Sequence, residues 1–141
     1  MKITDYTGKA DASVINFVAE RLGVPDGVEL VIIHNEKILD RFGNESLHID
    51  AIMHRMDIPG KYQLVVRKRP MDPLRRILVH ETIHLAQYES GELALDTASR
   101  TFTWKGVQYG PEIEYKRRPW EIDTFRLTEQ LMKEYKESNH S

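Results

Sequence analysis

The chain contains no cysteine and no long apolar run. Without cysteine, neither a disulfide framework nor a thiolate site is available, so any metal must be bound by histidine nitrogens and carboxylate oxygens. No segment approaches the roughly 18 apolar residues that a membrane-spanning helix needs, and residues 1–6 lack the apolar core of a secretory signal. We therefore expect a soluble, cytoplasmic protein without a membrane partner.

Neither sign of charge dominates, since 20 lysines and arginines face 22 acidic residues for a net charge of −2. This balance argues against a dedicated nucleic-acid binder. Three short basic clusters (67–69, 75–76 and 116–118) keep a nucleic-acid or acidic partner open as an alternative, although we expect them to be solvated faces with acids nearby. The length of 141 residues suits one domain, 1–141, with a polar tail from Glu137 to Ser141 that we expect to fray.

The first half of the chain alternates helical and strand patterns. Ala12–Leu22 has apolar residues at helical spacing after Asp11 or Ser13 as a candidate N-cap, and it stops before Pro25. Val28–Ile33 and Tyr62–Arg67 are rich in β-branched and aromatic residues, which predicts buried strands. Residues 47–56 show no clean period and are interpreted as a short helix.

The second half begins with a long helix over Pro73–Glu89, whose apolar residues occupy nearly the whole circumference. Such a helix is expected to lie buried between two layers. Phe102–Trp104 and Val107–Tyr109 flank Lys105-Gly106, the pattern of a β-hairpin, and Pro119 opens a final helix to about Lys136. The order of helix, strand, strand, helix, hairpin and helix predicts an α+β fold.

A metal-binding pattern lies inside the long helix, in the sequence His80-Glu81-Thr82-Ile83-His84. Histidines four residues apart differ by about 40° around a helix and by one turn along it, so both imidazoles can bind one ion. Glu81 points to the adjoining side, where a carboxylate can take a proton from water. A metal ion that polarises a carbonyl, with a carboxylate that accepts the proton, supplies the chemistry of amide hydrolysis.

A hydrolytic zinc site needs a third protein ligand. The remaining histidines, at positions 34, 48, 54 and 140, belong to no motif. In a helical projection of the last helix, the apolar arc consists of Trp120, Phe125, Leu127, Leu131, Met132 and Tyr135. Glu121, at the start of this helix, lies about 50° from the centre of the arc, whereas Asp123 lies about 110° away. Glu121 is therefore the preferred third ligand, with a capping or ion-pairing role as its alternative, and Asp123 is ranked second as ligand or as partner of a ligating histidine.

The chain resembles gluzincin metallopeptidases, in particular the small minigluzincins of phages and bacteria. The resemblance is carried by residues 80–84, the His84–Leu93 stretch, the tryptophan-containing hairpin and Arg118-Pro119-Trp120-Glu121. The resemblance covers about residues 62–135. It implies a zincin-like fold with a small mixed or antiparallel sheet, an N-terminal helix, a buried metal-binding helix, a β-hairpin and a C-terminal helix.

The resemblance also implies one zinc ion on His80, His84 and Glu121, with Glu81 as general base and acid. A peptide or protein substrate would lie extended along a strand that lines the cleft, expected at Tyr62–Arg67. It further raises latency through a terminal segment, for which the tail with His140 is the candidate.

Two features fall outside the family's pattern or its clear assignments. Gluzincins often carry an acidic residue four positions after the glutamate ligand, where this chain has Phe125. Tyr88, Tyr109 and Tyr115 are the candidates for stabilising an oxyanion.

Besides the peptidase, a non-catalytic zinc-binding module of a phage or mobile-element system remains open as the alternative function.

Overall fold

A computed structural model describes residues 1–42 and 49–139 of the chain. Within these residues the helices are α1 (Ala12–Arg21), α2 (Glu36–Phe42), α3 (Met71–Glu89) and α4 (Pro119–Asn139), with a 3-10 helix at Tyr115–Arg117. The strands are β1 (Lys2–Asp5), β2 (Glu29–His34), β3 (Ala51–Arg55), β4 (Lys61–Val66), β5 (Leu93–Asp96), β6 (Thr101–Trp104) and β7 (Val107–Tyr109). The predicted α+β class is confirmed.

The larger sheet has the strand order β1-β2-β4-β3. β1, β2 and β4 run parallel to one another, whereas β3 pairs antiparallel with β4, so the sheet is mixed. The strands predicted near 28–33 and 62–67 are confirmed as β2 and β4. β4 is an interior strand with a partner on each side, and β3 is an edge strand.

The helix predicted over residues 47–56 is wrong, because Ala51–Arg55 forms β3. Residues 43–48 lie outside the described part of the chain. β3 turns into β4 through a tight connection in which the Met56 amide donates to the Lys61 carbonyl at 2.8 Å. The strand takes its conformation from pairing with β4, and a five-residue segment is too short to show that pairing as a clean period.

Helix α3 lies between layers, as its sequence predicted. It contacts α1, α4 and edge strand β3. Ten of its 19 residues are buried. Ile83 and Leu85 on α3 join the main core with Leu30 of β2 and Leu64 of β4. The segment His80–His84 therefore lies on a helix with more buried residues than α1 or α4.

A second, smaller core fixes the start of α4. It consists of Leu93, Trp104 and Trp120, with Phe102 and Tyr109 packed against it. The Trp120 and Phe102 rings stack with centroids 4.7 Å apart. The predicted hairpin is confirmed as β6 and β7, and Lys105 and Gly106 in its turn both have positive φ, 49° and 84°, as a two-residue type I′ turn requires. This three-stranded sheet thereby anchors the helical turn that carries Glu121.

The chain termini differ from the sequence expectation. Strand β1 precedes the first helix, so α1 is the first helix but not the first element. The predicted cap at Asp11 is confirmed, since its carboxylate accepts from the amides of Ser13 and Val14. Helix α4 continues to Asn139, so residues 137–139 are helical, and His140 and Ser141 lie outside the described residues. In the described part of the chain, no helix combines the length and apolar character needed to cross a bilayer.

Candidate metal centre

His80, His84 and Glu121 converge at one point between α3 and α4. The His84 Nε2 atom lies 3.0 Å from Glu121 Oε1, and His80 Nε2 lies 3.3 Å from the same oxygen. The three ligand atoms all lie within 4.8 Å of one another. Around zinc with bonds of about 2.0–2.1 Å, neighbouring tetrahedral ligands are about 3.3 Å apart, so the arrangement has the dimensions of a metal site.

Glu121 is buried, as the helical projection predicted, and it is held in its ionised form. Only 7% of the residue is exposed. Burial alone would raise the pKa of this carboxyl, but the hydrogen bonds and charges of His80 and His84 outweigh burial and lower the pKa to about 2. An ionised carboxylate beside two imidazoles is the donor set that a zinc ion uses.

His84 shares this electrostatic environment. Burial disfavours its charged form, but the hydrogen bond to Glu121 and the nearby charge of Glu81 raise the pKa to about 9. On the other side of the ring, His84 Nδ1 lies 2.8 Å from Gln87 Oε1. A metal ion bound at Nε2 would take the place of the proton that the metal-free ring holds there.

Glu81 lies beside the three converging side chains without belonging to them. It is buried, with 9% exposed, and burial raises its pKa, while the charges of His84 and His80 act in the opposite direction. The backbone N–H of Met53 on β3 also faces this carboxylate and lowers its pKa. Glu81 therefore sits between the histidines and the edge strand, with its proton affinity raised above that of an exposed carboxylate.

The tyrosines predicted as oxyanion stabilisers occupy different positions. Tyr115 donates a hydrogen bond from its hydroxyl to Glu121 Oε1 at 3.1 Å. Burial and the charge of Glu121 raise its pKa, so its hydroxyl stays protonated as a donor. Burial and the charges of Glu81 and Glu121 raise the pKa of Tyr88 to about 12. Tyr109 instead packs against Trp120 in the small core.

Asp123 does not join the converging ligands. Its carboxylate binds Arg126 at 2.8 Å, one turn further along α4. Phe125, placed by the projection on the apolar arc, is 53% exposed, and its ring meets that of His80 edge-on at 4.9 Å. The helix is phased so that Phe125 lies at the rim of the site and Thr124 faces inward.

His34 and His54 stand apart from this cluster. His34 Nδ1 hydrogen-bonds the Val66 carbonyl at 3.0 Å, and His54 is exposed on β3. His48 and His140 lie outside the described residues.

The strand expected to line a substrate cleft, Tyr62–Arg67, is an interior strand of the sheet. β4 is covered on both sides by β2 and β3, so its backbone has no free edge. β3 contacts α3 and presents one unpaired edge in the described part of the sheet. The edge strand was missed because the segment was interpreted as a helix.

Most arginines of the basic clusters are neutralised by neighbouring acids. This pairing agrees with solvated, locally balanced surfaces rather than a positive stripe. The ion pairs are Arg67 with Glu36 and Asp40, Arg69 with Asp50, Arg75 with Asp11 and Asp72, Arg76 with Glu129, and Arg117 with Glu114.

No family model, curated protein or solved structure matches this chain. The assignment of a function therefore depends on the geometry of the site and on the resemblance of its motifs.

Proposed function

We propose that the protein is a zinc-dependent metallopeptidase of the gluzincin type. The observation that carries this proposal is the convergence of His80 Nε2, His84 Nε2 and a Glu121 carboxylate oxygen beside the buried Glu81. Two imidazoles and one carboxylate leave a fourth tetrahedral position, which is the composition of a catalytic rather than a structural zinc site.

A zinc ion held by these three side chains would polarise the scissile carbonyl and lower the pKa of a water molecule. Glu81 would take the proton of that water and pass it to the leaving amine. Burial raises the pKa of Glu81, and a carboxylate that holds a proton more tightly is a better base. Tyr115, whose hydroxyl donates to Glu121 Oε1 at 3.1 Å, is the candidate donor to an oxyanion.

The backbone pattern of β3 supports an extended peptide as substrate. The Met56 amide donates to the Lys61 carbonyl and the Arg67 amide donates to the Asp50 carbonyl, each at 2.8 Å. The even-numbered residues of β3 therefore direct their backbone amides and carbonyls toward β4. In an antiparallel pair the alternate residues, here Ala51, Met53 and Arg55, direct their amides and carbonyls to the outer edge. The Met53 amide faces Glu81, which places this edge next to the site. A peptide strand added there would bring its own carbonyls toward the ligands.

The test compares Glu81→Gln with the wild-type protein on a peptide library, after both have been loaded with zinc. The amide keeps the size of the side chain but cannot take a proton, so cleavage is expected to fall about 10²–10⁴-fold while zinc binding persists. Glu89→Gln is the matched control, since Glu89 lies on the same helix and binds the Tyr62 hydroxyl at 2.6 Å, away from the ligands.

The expected result is full zinc content in all three proteins, with cleavage lost only in Glu81→Gln. Zinc binding without cleavage by the wild-type protein, on the whole library, would favour the non-catalytic zinc module instead. Cleavage that survives Glu81→Gln would refute the assigned mechanism.

A further inference from the structure

The Nδ1 side of the His84 ring contacts a buried chain of hydrogen bonds that crosses from α3 to α4. Gln87 is 4% exposed, and its Oε1 atom contacts His84 Nδ1 at 2.8 Å. Its Nε2 atom donates to Thr124 Oγ1 at 2.8 Å and to the Trp120 carbonyl at 3.3 Å. Thr124, fully buried, donates its own hydroxyl proton to the Trp120 carbonyl at 2.6 Å.

The direction of each bond in this chain follows from the acceptor at its end. The Trp120 carbonyl can only accept, so the Thr124 hydroxyl donates to it and must accept from the Gln87 amide nitrogen. The Gln87 carbonyl oxygen is thereby turned toward His84 and requires a proton on Nδ1. With Nδ1 protonated, Nε2 is the nitrogen that can bind a metal ion, once the ion displaces the proton that Nε2 donates to Glu121 in the metal-free protein.

The two histidines are supported differently. Within the described residues, the His80 ring hydrogen-bonds only Glu121 and is otherwise packed by Phe125. His84 has a polar partner, Gln87, three residues later on the same helix, because positions i and i+3 lie on the same helical face.

We propose that Gln87, oriented by Thr124, is the positioning residue of the metal centre, setting the tautomer and orientation of His84. This proposal rests on the proposed function, because it takes His84 to be a zinc ligand. Gln87 and Thr124 also tie together the two helices that supply the ligands, so one polar pair fixes both the ring and the position of Glu121 relative to it.

The test is the zinc dissociation constant, measured by competition with a chromophoric chelator at fixed pH. Gln87→Leu removes the acceptor for Nδ1–H and is expected to weaken zinc binding 10–100-fold, as loss of a ligand's outer partner does. Gln87→Glu keeps an acceptor oxygen for Nδ1–H but loses the amide that donates to Thr124, so it is expected to lose less zinc affinity than Gln87→Leu.

Thr124→Val and Thr128→Val form a matched pair on α4. Both threonines are buried and donate to the carbonyl four residues earlier, but only Thr124 contacts Gln87. Thr124→Val is expected to weaken zinc binding several-fold, and Thr128→Val less than twofold. Thermal melts of the metal-free variants show whether each one is folded before its zinc affinity is measured.

Equal zinc affinities for wild type, Gln87→Leu and Thr124→Val would overturn this proposal while leaving the proposed function intact. Equal losses in Thr124→Val and Thr128→Val would also overturn it, because the effect would then come from packing. A wild-type protein that binds no zinc would remove both the positioning role and the peptidase function.

Discussion

Replacing Glu121 with glutamine should remove most of the thermal stabilisation of the protein by zinc, whereas Asp123→Asn should leave it unchanged. Glu121 supplies the oxygen on which both histidine Nε2 atoms converge, and it is almost completely buried. Asp123, two residues away, is paired with Arg126 on the outer side of α4. The two substitutions remove the same charge from the same helical turn, so they differ only in which side chain reaches the site.

The size of the effect follows from the linkage between binding and unfolding. Free zinc at 100 times the dissociation constant stabilises a folded protein that binds one ion by about 2.7 kcal/mol. For 141 residues, an unfolding entropy of about 2 cal/mol/K per residue converts this into a rise in Tm of about 9 °C. If loss of Glu121 weakens binding a hundredfold, the variant is half saturated at the same zinc concentration and gains only about 0.4 kcal/mol, or roughly 1 °C.

The rise in Tm of each protein is measured by differential scanning calorimetry, with the free zinc concentration fixed by a chelator and metal-free samples as the reference. The expected pattern is a rise of about 9 °C for wild type and Asp123→Asn and roughly 1 °C for Glu121→Gln. The reasoning fails if Glu121→Gln keeps the full rise, and the alternative ligand is favoured if Asp123→Asn loses it.

Three further predictions concern the core, the first helix cap and the rim of the site. Ile83 is fully buried on α3, so Ile83→Ala should cost about 2–5 kcal/mol in urea unfolding, and a cost below about 1 kcal/mol would contradict its place in the core. Burial raises the pKa of Asp11, but hydrogen bonds from Ser13 and Arg75 outweigh burial and lower the pKa below 3.8. The cap's contribution of about 1 kcal/mol to stability should therefore be present at pH 7 and be lost as the pH falls through the lowered pKa of the folded state. The check is to compare the free energies of unfolding of wild type and Asp11→Ala at pH 7 and at pH 3. The Phe125 ring is half exposed beside His80, so Phe125→Ala should raise KM for peptides with an apolar side chain next to the cleaved bond more than for polar ones, and equal changes in KM would refute an apolar subsite.

Local sequence patterns predicted the helices, caps and turns whose conformation depends mainly on neighbouring residues in the chain. The Lys105-Gly106 turn, the cap at Asp11 and the all-round apolar character of Pro73–Glu89 each correspond to a local geometry that the structure shows. The inward face of Glu121 could be projected because Trp120 and Leu131 mark the buried side of α4.

Elements that form through distant pairing were missed or misassigned. Lys2–Asp5 is a strand because it pairs with Glu29–Ile32, and Ala51–Arg55 is a strand because it pairs with β4. Neither segment carries a strong pattern of its own, so the edge strand beside Glu81 was not found. Phe125 was placed on the apolar arc of the last helix because it is apolar, but its side chain is exposed at the rim of the site.

The role of Gln87 also lay beyond the sequence alone, since a glutamine three residues after a histidine is an ordinary helical pair. Its meaning depends on Thr124 and Trp120 on another helix. The His84-x-x-Gln87 spacing was the available signal, and only the packing of α3 against α4 gives it a function.

The most direct test of the central claim is X-ray diffraction from zinc-loaded crystals, recorded at the zinc absorption edge. The account predicts one anomalous peak per chain, at about 2.0–2.2 Å from His80 Nε2, His84 Nε2 and a carboxylate oxygen of Glu121. A zinc peak bound by other side chains, or no peak between α3 and α4, would contradict it.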